Sequence, residues 1–217
     1  MRFIDIFFPP VCPICSGHAG KAVLCGCCED NLRLSEFPGE KYVSVDGKRV
    51  KVHYLYKYGS RELTRYIFAL KKSANKDVFQ DAAEKLFSAF SAMPIERNTV
   101  ITNVPRRKVN VRIFGYDHSK QIAKALAKQT ECKIRYEKLL KRRGFSKDQK
   151  DLDAASRVIN ASGKYKAVVR ENVERIILFD DVITTASSFS ECVRELRRIY
   201  GNDVDIVGLF LASTNTI

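Results

Sequence analysis

The chain has 217 residues, of which 45% are hydrophobic and 29% are charged. These values exclude a disordered polymer and predict one sizeable folded core with a small appendage. The first residues, MRFIDIFFPP, form an apolar run that Asp5 interrupts and that no small-residue cleavage site follows. Neither a membrane span nor a signal peptide fits this pattern, so we expect a cytoplasmic protein without membrane insertion.

The positive charge is concentrated in the middle of the chain. The formal net charge is +13, and residues 101–170 contain 19 Lys and Arg against 6 Asp and Glu, while the rest of the chain is balanced at 19 against 19. Such a concentration predicts a polyanionic partner, either a phosphorylated metabolite or a nucleic acid. The alternative is a solvated surface that only favours solubility.

Residues 1–40 are rich in cysteine and are predicted to form a small zinc-binding module, a zinc ribbon. Two C-x-x-C pairs supply the predicted ligands, which are Cys12, Cys15, Cys25 and Cys28. Two such pairs suit a tetrahedral zinc site, and a closed site of this kind is structural. A disulfide is the alternative, although it is disfavoured in a chain without an export signal. Cys27 could replace a neighbour as ligand, and His18 is a reserve ligand.

Residues 41–217 predict an α/β domain. The first elements are a β hairpin around Asp46-Gly47 and two helices, in SRELTRYIFALKKSANK and KDVFQDAAEKLFSAF. A strand in NTVITNVP, a helix in SKQIAKALAKQT and a strand in CKIRYEKLLKRR follow. The chain ends with the strand VERIILFDDV, the helix SSFSECVRELRRIYG and the strand VDIVGLFLAST. This alternation predicts a parallel sheet covered by helices on both faces.

Two adjacent acids, Asp180 and Asp181, stand at the predicted carboxyl end of a buried strand. Open α/β sheets bind ligands at that edge. A loop rich in hydroxyls follows, and Ser188 with Glu191 predicts a capping box at the start of the next helix. Hydroxyls, backbone amides and a helix N-terminus together favour phosphate. The acids would then face ribose hydroxyls or magnesium; the alternative is a strand-end turn in which they only cap amides.

The segment ILFDDVITTASS resembles the phosphoribosyl-pyrophosphate (PRPP) loop of type I phosphoribosyltransferases. Together with the paired C-x-x-C motifs it is similar to the ComF family of competence proteins. Other matching segments are YKYGSRELTRYIFALKK, NVPRRKVNVRIFGYDHSKQIAKALA and DQKDLDAASRVIN, the last through Gln149, Leu152, Arg157 and Asn160. The resemblance implies a phosphoribosyltransferase-like fold, PRPP with magnesium as ligand, and a role in DNA uptake with single-stranded DNA and competence-machinery proteins as partners.

The resemblance also implies which residues hold PRPP. The loop residues are Asp180, Asp181, Thr184, Thr185, Ala186, Ser187 and Ser188, and the pyrophosphate side is implied for Arg106 and Arg107 after Pro105. The chain departs from the family at Ala186, where the family has glycine. It also departs at residues 114–118, which are Phe-Gly-Tyr-Asp-His in this chain and Arg-Gly-Phe-Asn-Gln in the family. Thr184 replaces an acid of the purine-salvage relatives, which makes a purine-base substrate less expected.

A second basic cluster comprises Lys141, Arg142 and Arg143, and it predicts a track for a nucleic-acid backbone. Three aromatic residues interleave the basic stretch and either stack on bases or belong to the core: Tyr116, Tyr136 and Phe145. His118 could touch phosphate, and no acidic partner for it is recognisable in the sequence. His53, Cys132 and Cys192 are expected to be structural.

Three functions share the predicted fold. The first is a DNA-uptake protein that binds single-stranded DNA and carries a PRPP-type loop. The second is an active phosphoribosyltransferase that uses PRPP, magnesium and an amine or base acceptor. The third is a PRPP sensor without chemistry.

Overall fold

The computed structural model describes residues 11–20, 22–72, 75–130, 133–143 and 163–214. Several residues named above lie outside these ranges: Cys132, Phe145, Gln149, Leu152, Arg157 and Asn160. Among the described residues, no helix is both long and apolar enough to cross a membrane.

The N-terminal part consists of a turn closed by an isolated antiparallel bridge between Val11 and His18, followed by helix α1, Gly26–Arg33. Strands β1, Glu36–Val45, and β2, Lys48–Lys57, then form an antiparallel hairpin. Asp46 and Gly47 at its tip have φ of 52° and 78°. Positive φ at both central residues is the type I′ geometry that suits a two-residue hairpin, so the predicted hairpin is confirmed.

The rest of the described chain alternates helices and strands. Helices α2, Arg61–Lys72, and α3, Lys76–Phe90, lead to β3, Thr99–Asn103. Helices α4, Lys108–Phe114, and α5, His118–Gln129, lead to β4, Arg135–Tyr136, and β5, Leu140–Arg142. The last elements are β6, Tyr165–Ala167, β7, Arg175–Ile183, α6, Ser187–Tyr200, and β8, Asp205–Ser213.

The central sheet has the order β1-β2-β8-β7-β3-β4, and every pair except β1 with β2 is parallel. Strands β5 and β6 form a separate antiparallel pair. Side chains of β7 alternate between the two faces: Ile177 and Phe179 join the core under α2, α3 and α5, whereas Ile176 and Leu178 join the core under α6. The predicted α/β fold, with a mostly parallel sheet flanked by helices, is confirmed.

The cysteine-rich part shares its core with the α/β part. Cys12 and Leu32 belong to the same buried cluster as Leu63 and Leu86 of helices α2 and α3. A polar connection runs beside it, because Lys85 of α3 lies 3.0 Å from the Glu29 carboxylate of α1. The division into modules at residues 1–40 and 41–217 stays a prediction.

Candidate phosphate site and basic cavity

The acid pair lies within the last residues of β7 and not beyond its end. Asp180 and Asp181 are followed by two further strand residues, which pair with β8 up to Ile183. Because neighbouring side chains of a strand point to opposite faces, the two carboxylates meet different neighbours.

Asp181 is buried and already has two cationic or protonatable partners. Its Oδ2 lies 2.7 Å from Lys71 Nζ, at the end of α2, and 3.2 Å from His118 Nε2, at the start of α5. Its Oδ1 accepts a hydrogen bond from the backbone amide of Val182. Burial by itself would raise the pKa of Asp181, but His118 and Lys71 outweigh burial and hold the pKa well below its usual range. Asp181 is therefore an ionised structural anchor between α2, β7 and α5.

Asp180 is half-buried and lines a small pocket next to the hydroxyl-rich loop. Its Oδ1 accepts a hydrogen bond from Ser119 Oγ at 3.0 Å and another from the backbone amide of Asp181. Burial and the charge of Asp181 raise the pKa of Asp180 well above its usual range. Asp180 is thus the acid of the pair that can meet a ligand, and it gains most from a partner that favours its ionised form.

The loop after β7 surrounds that pocket, which has a volume of about 90 Å³. The predicted loop residues line it together: Asp180, Thr184, Thr185, Ala186, Ser187 and Ser188. Thr184, Thr185 and Ser187 are exposed, and the hydroxyls of Thr185 and Ser187 lie 3.2 Å apart. Asp181, which was predicted to bind with them, does not line the pocket.

Ala186 holds the conformation that glycine would adopt most easily. Its φ and ψ are 56° and 5°, in the left-handed region, and it is the N-cap of α6. The predicted capping box is wrong, because α6 has no side-chain cap and Glu191 instead accepts a hydrogen bond from the backbone amide of Lys164. Within the described part of the chain, the first amides of α6 have no side-chain acceptor, which is the arrangement that binds anions.

A larger cavity of about 510 Å³ lies beside the carboxyl ends of β3 and β4. Among the residues that the structure describes, seven basic side chains line it against a single acid, Asp117: Arg106, Lys108, Arg112, Lys120, Lys138, Lys141 and Arg142. We call it the basic cavity. It brings two groups of basic residues together that are far apart in sequence, those after β3 and those of β5. Arg107 and Arg143 are exposed and do not line it.

The aromatic residues of this region are mainly structural. Tyr136 lines the basic cavity, but its hydroxyl donates to Asn103 Oδ1 at 2.9 Å. Tyr116 is half-buried and packs against Phe79, with ring centroids 5.3 Å apart. Neither ring is free to stack fully on a base, so the core interpretation fits these two better.

The four predicted zinc ligands lie together. The Sγ atoms of Cys12, Cys15, Cys25 and Cys28 are all within 4.8 Å of one another, and those of Cys15 and Cys25 are 3.6 Å apart. Zinc–sulfur bonds of about 2.3 Å in a tetrahedron require sulfur atoms roughly 3.8 Å apart, so this donor set fits zinc. Cys25 caps α1 and Cys28 lies in its first turn, whereas Cys27 is exposed and stays outside the cluster.

The thiols themselves favour a cation. Burial opposes ionisation of Cys12, but hydrogen bonds from the backbone of Cys25, Cys15 and Ile14 lower its pKa to about 7. Burial and the neighbouring thiols raise the pKa of Cys28. Four thiolates this close repel one another, and a divalent cation removes that repulsion.

Three partners of the acid pair were missed from the sequence: Lys71, His118 and Ser119. His118 and Ser119 are consecutive and start α5, and each holds one of the two consecutive acids. The sequence signal that could have indicated His118 and Ser119 is the apolar pattern of α5, which begins directly after Asp117. Asp117 is the N-cap of that helix and accepts a hydrogen bond from Lys120 N. Cys192, by contrast, is buried in the core as expected.

Comparisons with solved structures match the chain to known enzymes at low identity. The allosteric regulatory enzyme of purine biosynthesis is 19% identical, with a TM-score of 0.42, over 65% of this chain, which spans only 29% of that enzyme's chain. The orotate phosphoribosyltransferase from Aeropyrum pernix is 16% identical, with a TM-score of 0.33, over 85% of this chain and 78% of that chain. The adenine phosphoribosyltransferase from Thermoanaerobacter pseudethanolicus is 9% identical, with a TM-score of 0.41, over 85% and 99%.

No protein-family model and no curated protein matches the chain. At these identities and TM-scores the structural likeness concerns the general fold alone.

Proposed function

We propose that the chain binds a 5-phosphorylated ribose, with PRPP as the expected ligand, at the loop after β7. The observation that supports this most is the uncapped start of α6, which lies beside a pocket lined by hydroxyls and by Asp180. Phosphate would accept hydrogen bonds from the amides and hydroxyls of this loop. A sugar that carries the phosphate brings its hydroxyls toward the carboxylate.

In this proposal the two acids have different roles. Asp180 accepts hydrogen bonds from the ribose hydroxyls, and Ser119 fixes its orientation from the opposite side. Asp181 keeps Lys71 and His118 in place and does not touch the sugar. Arg106 lines the basic cavity and also lies near the acid pair. Its backbone amide donates to Asp117, and its guanidinium donates to the carbonyl of Lys71, the partner of Asp181, at 3.5 Å. It is suited to the pyrophosphate end of the ligand.

Magnesium fits this site as a companion of the ligand. It is usually held by one or two carboxylates together with phosphate oxygens and water. Asp180 is the only carboxylate that lines the small pocket among the described residues. Magnesium would hold Asp180 in its ionised form and screen it from the phosphate.

Binding is supported more directly than transfer. A transferase also needs a base or an acceptor site. This chain has Thr184 at the position where the purine-salvage relatives carry an acid that serves as a base. One assay therefore distinguishes a PRPP sensor from a transferase. Release of pyrophosphate from PRPP in the presence of candidate amines would support transfer, and binding without release would support the sensor.

Ligand binding can be measured as thermal stabilisation. PRPP with magnesium at 100 times its dissociation constant should stabilise the protein by about 2.7 kcal/mol, which gives a clear melting shift. Asp180→Asn should reduce this shift, whereas replacement of Asp203, an exposed acid 3.7 Å from Lys48, by Asn should leave it unchanged. Equal shifts in the parent and in Asp180→Asn would show that the site is wrongly placed.

The basic cavity favours a second function, the binding of single-stranded DNA, as the resemblance to ComF proteins implies. A cavity that carries seven basic side chains against one acid among the described residues suits a phosphate backbone without sequence preference. Lys141 and Arg142 line it, whereas Arg143, the residue after β5, does not and donates from its Nε to the Tyr165 carbonyl at 3.1 Å. Participation in DNA uptake with competence-machinery proteins in the cytoplasm would follow from this activity.

The DNA proposal predicts how affinity depends on salt. Log affinity for an oligothymidylate should fall with log salt by about 0.7 per phosphate contacted, and reversing Lys141, Arg142 and Arg143 to Glu should flatten that slope. Lys141→Glu and Lys166→Glu form a matched pair, since the two lysines face each other across β5 and β6 but only Lys141 lines the cavity. Equal losses in both variants would mean that net charge, and not the cavity, binds DNA.

A further inference from the structure

Lys71, in the last turn of α2, contacts residues that belong to both candidate sites. Its Nζ lies 2.7 Å from Asp181 Oδ2, and its backbone carbonyl accepts a hydrogen bond from Arg106 Nη1 at 3.5 Å. Asp181 follows Asp180, which together with residues 184–188 lines the small pocket that we call the phosphate pocket. Arg106 lines the basic cavity. Lys71 therefore stands between the acid pair and an arginine of the basic cavity.

Strands β3 and β7 bring Arg106 and the acid pair together. The two strands are parallel neighbours, and just beyond β3 the backbone amide of Val104 donates to the carbonyl of Phe179 at 2.9 Å. Phe179 precedes Asp180, so the chain that carries Arg106 leaves the sheet beside the acids. The Arg106 side chain is half-buried, and its guanidinium lies 4.8 Å from the centre of the Phe114 ring. Two cations, Lys71 and Arg106, are thus neighbours at the carboxyl edge of the sheet.

The Lys71 ammonium keeps donors for a further anion. Its side chain is 38% exposed and that of Asp181 is 11% exposed, so the ion pair lies at the boundary between core and solvent. An ammonium has three N–H donors, and Asp181 is its single anionic partner among the described residues. The buried carboxylate therefore holds these donors in one place. Lys72 differs, because its Nζ lies 4.0 Å from the centre of the exposed Phe68 ring.

A structural role explains only part of this arrangement. Lys71 and Lys72 both lie in the last turn of α2, where cations favour the helix dipole, yet only Lys71 is directed to the acid pair. Asp181 also has a second partner in His118. Two neighbouring cations such as Lys71 and Arg106 repel each other, and an anion bound by both removes that repulsion. The pair favours a ligand group with more than one negative charge.

We propose that Lys71 is a specificity-determining residue, whose ammonium binds the diphosphate of PRPP together with the guanidinium of Arg106. The phosphate pocket takes the 5-phosphate of the same molecule. Lys71 thereby selects a ribose with anionic groups at both ends over ribose 5-phosphate. The inference rests on the proposed function, because it requires a ribose phosphate at the loop after β7. Asp181 orients Lys71 and does not touch the ligand.

The test compares the affinities for PRPP and for ribose 5-phosphate, each measured by calorimetry with magnesium at constant ionic strength. The two molecules share the 5-phosphate and the ribose, and only PRPP carries the diphosphate. The ratio of the two affinities therefore measures the contribution of the diphosphate. Lys71→Met removes the ammonium and keeps an unbranched apolar side chain. Lys72→Met is the matched control, since it removes the same charge from the next residue.

We expect the parent to bind PRPP about 100-fold more tightly than ribose 5-phosphate, because each of two charged contacts contributes about 10-fold or more. In Lys71→Met the ratio should fall about 10-fold, while the affinity for ribose 5-phosphate stays unchanged. Lys72→Met should keep the parent ratio. A double variant, Lys71→Met with Asp181→Asn, leaves no buried anion without its ammonium and should show the same lowered ratio. It decides the question if the single variant is too unstable to measure.

The outcomes separate the two proposals. If the parent binds neither ligand, the proposed function is wrong and the role of Lys71 falls with it. If the parent binds both ligands and Lys71→Met keeps the ratio, or Lys72→Met lowers it equally, only the role of Lys71 is wrong. An equal loss of affinity for both ligands in Lys71→Met would assign Lys71 to the scaffold of the acid pair and would also overturn its role in specificity.

Discussion

Lys71 Nζ lies 2.7 Å from Asp181 Oδ2, so the last turn of α2 is bound directly to the end of β7. This ion pair separates the functions of two acids that are adjacent in sequence. Asp181 is ionised and buried, and it holds the scaffold together. Asp180 lines the phosphate pocket and carries the raised pKa.

Replacement of the two acids should therefore have different effects on stability. Asp181→Asn leaves Lys71 and the buried His118 without their anionic partner. Breaking a buried pair costs about 3–5 kcal/mol, and because the Lys71 side chain is 38% exposed we expect a smaller loss, about 1–3 kcal/mol. Urea denaturation at pH 7 measures it. Asp180→Asn is the matched control and should not be destabilised; equal losses in the two variants would contradict the division of roles.

The pH dependence of stability should reveal Asp180. Its folded-state pKa is raised by burial and by Asp181, so the folded state binds more protons than the unfolded state above about pH 4. Stability is then lost as the pH rises through the folded pKa. Asp180→Asn cannot ionise and should gain stability relative to the parent as the pH rises above about 4. Denaturation curves measured across this range test it, and a constant difference between the two proteins would refute it.

Asp181 should show the opposite dependence. Its folded-state pKa is depressed by His118 and Lys71, so its contribution is present above the unfolded pKa of about 4 and is lost as the pH falls through the depressed value. The parent should therefore lose more stability than Asp181→Asn on acidification below pH 4. If the two curves stay parallel there, Asp181 is not the anchor described.

The sequence predicted the scaffold well because its signals are local. Asp46-Gly47 specified the hairpin, and the apolar run before Asp180 specified β7. The capping box failed because Glu191 is used by a backbone amide of β6, a partner that is remote in sequence. The role of Lys71 was missed for the same reason, since it depends on a contact between distant segments.

Ala186→Gly tests the strained N-cap of α6. Glycine removes a left-handed penalty of about 1–2 kcal/mol, but it loses a buried methyl group and gains unfolded-state entropy, so the net stability change should stay within about 1 kcal/mol. The affinity for PRPP should rise, because phosphate can approach the loop amides more closely. Asn172→Gly, at φ 55° in another loop, is the control and should not change affinity. Unchanged affinity in Ala186→Gly would mean that the methyl group does not limit the pocket.

The zinc site should stabilise the whole chain and not only the first 40 residues. The parent should contain one zinc per chain, and Cys25→Ser should lose it, whereas Cys27→Ser should retain it because Cys27 lies outside the cluster. Structural zinc contributes on the order of 10 kcal/mol of binding free energy. Since Cys12 and Leu32 share a core with Leu63 and Leu86, we expect Cys25→Ser to lower the midpoint of the main urea transition.

Two measurements decide the zinc prediction: the metal content and the shape of the unfolding curve. A single transition at lower urea in Cys25→Ser indicates that the core joining α1 to α2 and α3 unfolds as one unit. A separate early transition with an unchanged main midpoint would instead support the boundary at residue 40 and contradict a shared core. Less than one zinc in the parent, or loss of zinc in Cys27→Ser, would overturn the assignment of the ligands.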